Sequence, residues 1–383
     1  MSVTRPAGFR AAGAAAGLKS SGGRDVAVLV NDGPSSAAAA VFTSNRCKAN
    51  PVLWSQQAIR SGSARAVAVN SGGANCYTGA EGFATTHMTA ETVASALGIG
   101  AVDVQVCSTG LIGLLNDRDA LLGGVSTALD NLSADGGNDA AHAIITTDSH
   151  PKQTLKHGGG YTIGAMAKGA GMLAPSLATM LVFITTDAEL DAAELDQALR
   201  VATAQTFDRL DSDGCQSTND TVLLMASGAS GVRPDLEAFT EELGTTCHDL
   251  AMQLLADAEG ADHEITIDVV NAACVDDALE VGRAVARSNL FKCAIFGKDP
   301  NWGRILASAG TTQAAFDPAD LDVALNGVWV CRQSGPAESP EAVDLDGREV
   351  TVTIDLKSGQ AAGTIWTNDL TQAYVHENSA YST

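Results

Sequence analysis

Positive charge is scarce in this sequence. Its 383 residues hold 23 Lys and Arg against 45 Asp and Glu, a formal charge of −22. Phosphate backbones and anionic membranes are bound by clustered Lys and Arg, so this balance excludes a general nucleic-acid or membrane-surface binder. It leaves room for a small cationic pocket, and the acidic surface itself serves solubility. Long apolar runs are also missing. The longest candidate, residues 96–115, is broken by Asp103, Gln105, Ser108 and Thr109, which excludes a membrane-spanning helix there. The first twenty residues set Arg10 and Lys19 around a stretch of mostly Ala and Gly, too weakly apolar for the core of a signal peptide. A soluble cytoplasmic protein is expected.

The eight cysteines never fall in a CxxC spacing and are scattered through a long chain. That excludes a small disulfide scaffold and a zinc ribbon. Cys247–His248 is an adjacent pair without further ligands at useful spacing. Most thiols are expected to be buried small hydrophobes in a reducing cytosol. None of the seven histidines stands in a triad or metal spacing, and no P-loop or GxGxxG follows a strand-like run. Neither a metal nor a nucleotide cofactor is therefore expected. Fixed-period repeats, low-complexity blocks and Pro-rich linkers are absent too.

What is present is ordinary globular material. Hydrophobic residues make up 45% and charged residues 18%, which excludes wholesale disorder. At about 100–200 residues per domain the length allows two to four domains. Strand-like runs lie at Val26–Val30, Ala66–Asn70, Met180–Thr185, Thr221–Met225, Ile265–Val270 and Val350–Leu356. The last alternates apolar and polar residues, as a half-buried strand does. Asp191 followed by Glu194 is a capping-box pattern, and Leu195, Leu199 and Ala202 continue it as an apolar helical stripe. Asp235–Ala258 reads as one or two helices interrupted near Gly244, and Asp276–Arg287 as another. Asp187–Asp191 reads as an acidic surface turn. Periodicity alone gives a mixed α and β protein.

The most unusual segment runs from Lys168 to Asp187, KGAGMLAPSLATMLVFITTD. A Lys precedes glycines, Pro175 stops any helix, small residues follow, and Thr179 opens an apolar strand. An ordinary Thr lacks an adjacent base. Cutting the chain just before it frees an α-amine with a pKa of about 7.7–8.0, which can take the hydroxyl proton. Taken by itself, the segment fits an inert strand-start Thr better than a nucleophile.

The segment KGAGMLAPSLATMLVFITTDA resembles the self-cleavage region of the ornithine acetyltransferase family, the bifunctional glutamate N-acetyltransferase/ornithine acetyltransferases of arginine biosynthesis. The resemblance covers essentially the whole chain. It runs through GFRAAGAAAGLKSSG near the start, VNSGGANCYTG (69–79), CSTGLIG (107–113), TTD (146–148), DGCQSTNDTVLL (213–224), AEGADHEI (258–265), FGKDPNWGRIL (296–306) and YVHENSAYST at the end. Collinear order makes the set far more specific than any single motif.

The resemblance implies cleavage between Ala178 and Thr179. An α chain of residues 1–178 would result, with a β chain of residues 179–383 that carries the N-terminal nucleophile and a smaller C-terminal α/β region. It implies an α/β (α+β) fold, a layered helix–sheet sandwich of the DmpA/ornithine-acetyltransferase type, assembled as an α2β2 heterotetramer. The implied activity moves acetyl from N2-acetyl-L-ornithine to L-glutamate, ping-pong through an acetyl ester on Thr179. Acetyl-CoA is a further co-substrate of some members, and the motifs do not separate the two groups.

Site residues follow from the same resemblance. Thr109 and Gly110 match the oxyanion hole; a hydroxyl and a glycine N–H can both donate to a tetrahedral oxyanion, although alone they read as a plain turn. Thr146, Lys168, Thr179, Glu259, Asn378 and Thr383 match substrate contacts. A Lys ammonium suits an α-carboxylate, and Glu259 is expected to meet the side-chain ammonium of ornithine. Alone, Lys168 reads as a solvated surface Lys and Glu259 as an exposed helix end. The chain departs from the common pattern at AEGADHEI, where relatives carry GEGAT and then Lys, and at Gly73, where they commonly carry Asn. The 213–220 and 299–304 runs carry no assigned step and read as packing and turn elements. Two other classes fit parts of the pattern. An N-terminal-nucleophile amidohydrolase or aminopeptidase would use the same Thr179 with water as acceptor. A binding protein that kept the fold would release no ornithine.

Overall fold

The computed structural model of the chain describes residues 3–172 and 180–380. Ala178, Thr179 and Thr383 lie outside the described residues. The chain divides into two compact units, residues 1–170, 176–208 and 216–254 in the first and residues 171–175, 209–215 and 255–383 in the second. This division is one of packing and does not address the expected cut after residue 178.

In the first unit the early strands are β1 (Phe9–Ala14), β2 (Val26–Asn31), β3 (Ala38–Phe42), β4 (Ala66–Asn70) and β5 (Val104–Ser108). The later ones are β6 (Lys152–Gly158), β7 (Tyr161–Lys168), β8 (Leu181–Thr186) and β9 (Thr221–Ala226). The helices are α1 (Asn50–Ala58), α2 (Gly79–Leu97), α3 (Arg118–Asp130), α4 (Gly137–Ile144), α5 (Ala192–Gln205) and α6 (Leu236–Ala256). One sheet has the order β1-β2-β4-β5 and the other β3-β9-β8-β7-β6. Ala27, Leu29, Val67 and Val69 of the first sheet share a core with Met166, Phe183, Leu223 and Met225 of the second. Val28, Val30, Ala68 and Val106 instead face Ala90, Val93, Leu121 and Val125 of α2 and α3. On the far side α5 packs on β3, while α6 meets the β6–β7 hairpin through Tyr161, whose ring lies 5.9 Å from Phe239. The result is helix, sheet, sheet, helix. This explains why β2, β4, β8 and β9 are buried at every position and read as continuous apolar runs without alternation.

The second unit is built on β10 (Glu264–Ala272), β11 (Asp322–Leu325), β12 (Val328–Arg332), β13 (Gly335–Pro336), β14 (Glu349–Asp355) and β15 (Ala361–Asn368). Its helices are α7 (Val275–Ala286), α8 (Asn289–Phe296), α9 (Trp302–Ala309) and α10 (Gln372–Ala380). The sheet order is β13-β12-β11-β14-β10-β15, with β10 and β14 parallel. Helix α7 packs on β10 and β15 over a core of Ile267, Val269, Val281, Val285, Val352 and Ile365. The 350–356 run alternates as expected, with Val350, Val352 and Ile354 buried.

All six expected strands are present, and the Asp191–Glu194 capping box forms with both reciprocal bonds. Three expectations need correction. Helix α6 runs unbroken through Gly244. A helical Gly costs about 1 kcal/mol relative to Ala, and the buried stripe of Phe239, Leu243, Cys247, Leu250 and Leu254 outweighs it. Asp187 is not a surface turn residue but is buried, because its carboxylate accepts the N–H groups of Ala7 (3.0 Å) and Thr162 (2.7 Å). The thiols are not mostly buried: Cys47, Cys215, Cys274 and Cys293 are exposed, since each lies in a loop, at a helix start or on an outer helix face. Among the described residues no helix is long and apolar enough to cross a membrane.

Candidate active site

Register brings the chemistry of the first unit to the strand ends. β4 and β5 run parallel with Asn70 opposite Ser108, so Thr109 and Gly110 follow directly at the end of that pair. In the other sheet Lys168, the last residue of β7, pairs with Leu181, and Leu181 pairs with Thr221. Lys168, Met180 and Asp220 therefore gather at one end of the five-stranded sheet. Asn219 ties the two sheets together there, its amide donating to the carbonyls of Ala74 (2.7 Å) and Ser108 (2.8 Å).

Lys168 is 2% exposed, so the solvated alternative does not hold. Its ammonium donates to the hydroxyls of Thr146 (2.8 Å) and Thr109 (3.2 Å). Three of the residues singled out from sequence thus meet at one nitrogen. A charge this deep needs a counter-charge, and Asp148 supplies it 3.8 Å away. Asp148 also accepts from the Lys152 ammonium (2.6 Å) and from the N–H groups of Gly169 (2.6 Å) and Thr146 (3.0 Å). Burial alone would raise its pKa; Lys168 and Lys152 reverse this and hold it at about 2. Lys19 stands nearby and donates to the carbonyls of Ile145 (2.7 Å) and Arg24. Burial pushes its pKa down to about 8, against the pull of Asp25 and with the repulsion of Lys168.

Gly110 has φ +123°, and a Cβ there would sit 2.6 Å from the Gly72 carbonyl oxygen. Only glycine allows this close approach of the 110 turn to the Gly72–Gly73 backbone. Behind the strand ends lies Asp220, fully buried. Its Oδ1 accepts the N–H of Met180 (3.1 Å), the amide that follows Thr179 in the chain. Burial raises its pKa well above the ordinary carboxylate range, although Met180, Ser217, Thr43 and Lys168 all favour the charged form.

In the second unit Glu259 follows α6. Asn378 of α10 donates to its carboxylate (3.0 Å), so these two expected contacts are neighbours. Gly171 passes close enough that a Cβ there would meet the Glu259 carboxyl at 2.6 Å. Gly260 (φ +61°) lets α10 approach, since a Cβ would lie 2.2 Å from the Tyr374 nitrogen, and the Thr371 hydroxyl bonds the Gly260 carbonyl. The last helix is thus docked on the Glu259 turn. His263 is buried and satisfied by Asp369 (2.7 Å) and the Leu345 carbonyl, which is packing and not a triad. Among the described residues no cluster of three or more His, Cys, Asp or Glu is arranged to hold a metal ion.

Sequence reasoning missed Asp148 as the hub, Lys152 and Lys19 beside it, and Asp220 behind Met180. Asp148 lay inside the TTD motif and Asp220 inside the 213–224 motif, but neither pattern gives burial.

A buried ammonium that organises two threonine hydroxyls next to a glycine-only turn equips an enzyme for acyl transfer, where anionic groups must be held and an oxyanion stabilised. A sequence profile of the ArgJ family matches residues 10–383. The arginine biosynthesis bifunctional proteins ArgJ of Streptomyces coelicolor and Thermobifida fusca are each 60% identical, over the full length of both chains. The crystal structure of the ArgJ protein from Bacillus halodurans is 36% identical with a TM-score of 0.50, covering 52% of this chain and 98% of that one. The chain belongs to the ArgJ family and is an acyltransferase of arginine biosynthesis.

Proposed function

We propose that the enzyme moves acetyl from N2-acetyl-L-ornithine to L-glutamate through an acetyl ester on Thr179. The observation that carries this reading is the convergence of Thr109, Thr146 and Lys168 at one buried ammonium. The Thr179 hydroxyl attacks the acetyl carbonyl, and its freed α-amine takes the hydroxyl proton and passes it to the leaving amine of ornithine. The Thr109 hydroxyl and the Gly110 N–H stabilise the oxyanion. Thr146 and Lys168 hold the substrate carboxylate, while Glu259, Asn378 and Thr383 position the remainder. Glutamate then takes the acetyl group by the reverse sequence.

The nucleophile arises by self-cleavage between Ala178 and Thr179, giving chains of 178 and 205 residues from one precursor. The layered sandwich is of the DmpA/ornithine-acetyltransferase type, assembled as α2β2 and working in the cytoplasm. The chemistry requires no metal or resident cofactor, and acetyl-CoA is proposed as an alternative acetyl donor. The test is product analysis with N-acetylornithine, with and without glutamate. Glutamate-dependent N-acetylglutamate supports transfer. Free acetate alone would assign the protein to the amidohydrolases, and no ornithine release would leave a binding protein.

A further inference from the structure

The two substrates of a ping-pong acetyl transfer pose a charge problem. They share the α-carbon groups but end in opposite signs, an ammonium on N-acetylornithine and a carboxylate on glutamate. A pocket of one sign would accept one and reject the other. In the second unit a partly open cavity of about 60 Å³ is lined by both signs: Glu259, Asp213 and Asp369 are acidic, Arg287 and Lys292 basic, with Ser212 and Tyr374 between. This volume holds roughly two waters, the size of a terminal charged group and not of a whole amino acid.

Both cations have donors to offer. Arg287 spends its Nε hydrogen on Asp211 (2.8 Å), and its guanidinium carries further N–H groups on a half-exposed side chain. Lys292 is 5% exposed and donates to the Ser212 carbonyl and the Thr367 hydroxyl (3.1 Å), two bonds for three ammonium hydrogens. Burial pushes the Lys292 pKa down to about 8, which marks surroundings dry enough for one charged group to matter. Sequence patterning had singled out neither residue.

We propose that this cavity sorts the two substrates by the sign of their far end: Arg287, backed by Lys292, receives the side-chain carboxylate of glutamate, and Glu259 receives the side-chain ammonium of N-acetylornithine. The assignment rests on the reading that Glu259 contacts substrate. Arg287 is then a specificity-determining residue for the second half-reaction.

The experiment compares KM for glutamate with KM for N-acetylornithine in the full-length enzyme, using wild type, Arg287→Gln, Arg287→Lys and Glu259→Gln. Loss of a charge-assisted hydrogen bond predicts that Arg287→Gln raises the glutamate-to-acetylornithine KM ratio by about 10–100-fold. Arg287→Lys keeps the charge and restores most of the ratio. Glu259→Gln moves it the opposite way. A KM ratio within about twofold of wild type in Arg287→Gln overturns the subsite, whether both constants shift together or neither does. Wild-type enzyme that releases no ornithine from N-acetylornithine overturns the acetyl-transfer reading and the subsite with it, a failure visible before any variant is made.

Discussion

Replacing Asp148 with Asn should destabilise the first unit more than any other single change at the cluster. The carboxylate lies 2.6 Å from the Lys152 ammonium and 3.8 Å from that of Lys168, and all three side chains are buried. The amide has the same shape but no charge, so two ammonium groups lose their counter-charge. Breaking a buried pair from one side costs about 3–5 kcal/mol. The pH dependence gives a second, independent size. A carboxylate held at about 2 instead of its ordinary 3.8 contributes roughly 2 kcal/mol at neutral pH. Because the folded pKa is the lower one, that contribution is full above the unfolded value, near 4, and is lost as pH falls through 2. Urea unfolding of wild type and Asp148→Asn at neutral pH, and again across the acid range, measures both. A neutral-pH loss under about 1 kcal/mol, or acid limbs that stay parallel, would refute the idea that Asp148 compensates the two lysines.

Lys168→Met should lower kcat/KM for N-acetylornithine by about 100-fold, the worth of one charge-assisted contact to a carboxylate, in a steady-state assay at neutral pH. Gly110→Ala puts a Cβ 2.6 Å from the Gly72 carbonyl at φ +123°; it should cut kcat by about 100–1000-fold, the cost of an oxyanion donor, with a smaller change in KM. Asp220→Asn should flatten the stability profile on the alkaline side. Its folded pKa is raised, so the wild-type contribution is full below about 4 and declines as pH rises, whereas the amide keeps an acceptor for the Met180 N–H and does not titrate. Urea midpoints compared at about pH 5 and pH 8 read this out, and equal slopes in the two proteins would argue that the carboxyl is ionised when folded.

The strands were legible where packing is symmetrical. β2, β4, β8 and β9 are sandwiched between layers, so each is a continuous apolar run. Helix α6 was half legible, because a single Gly244 looks like a break until the stripe on either side is seen to be buried along its whole length. The site divides in the same way. Motifs pointed to Thr109, Gly110, Thr146 and Lys168 without revealing what joins them. The joining depends on tertiary placement: Lys152 at the start of β6 and Lys168 at the end of β7 both reach the one carboxylate of Asp148, at 2.6 and 3.8 Å, and their shared burial creates the need for it. No local spacing encodes that need. Arg287 and Lys292 were hidden for a related reason. They sit at the end of α7 and within α8 as ordinary helical cations, and only the closing of a cavity beside Glu259 gives them a task.

The central claim is that Thr179 becomes an N-terminal nucleophile. Intact-mass measurement of the active protein, with N-terminal sequencing of any fragments, tests it most directly. The account predicts two chains, one of them beginning at Thr179, and a single uncut, inactive chain from Thr179→Ala. A full-length chain with undiminished acetyl transfer would contradict it.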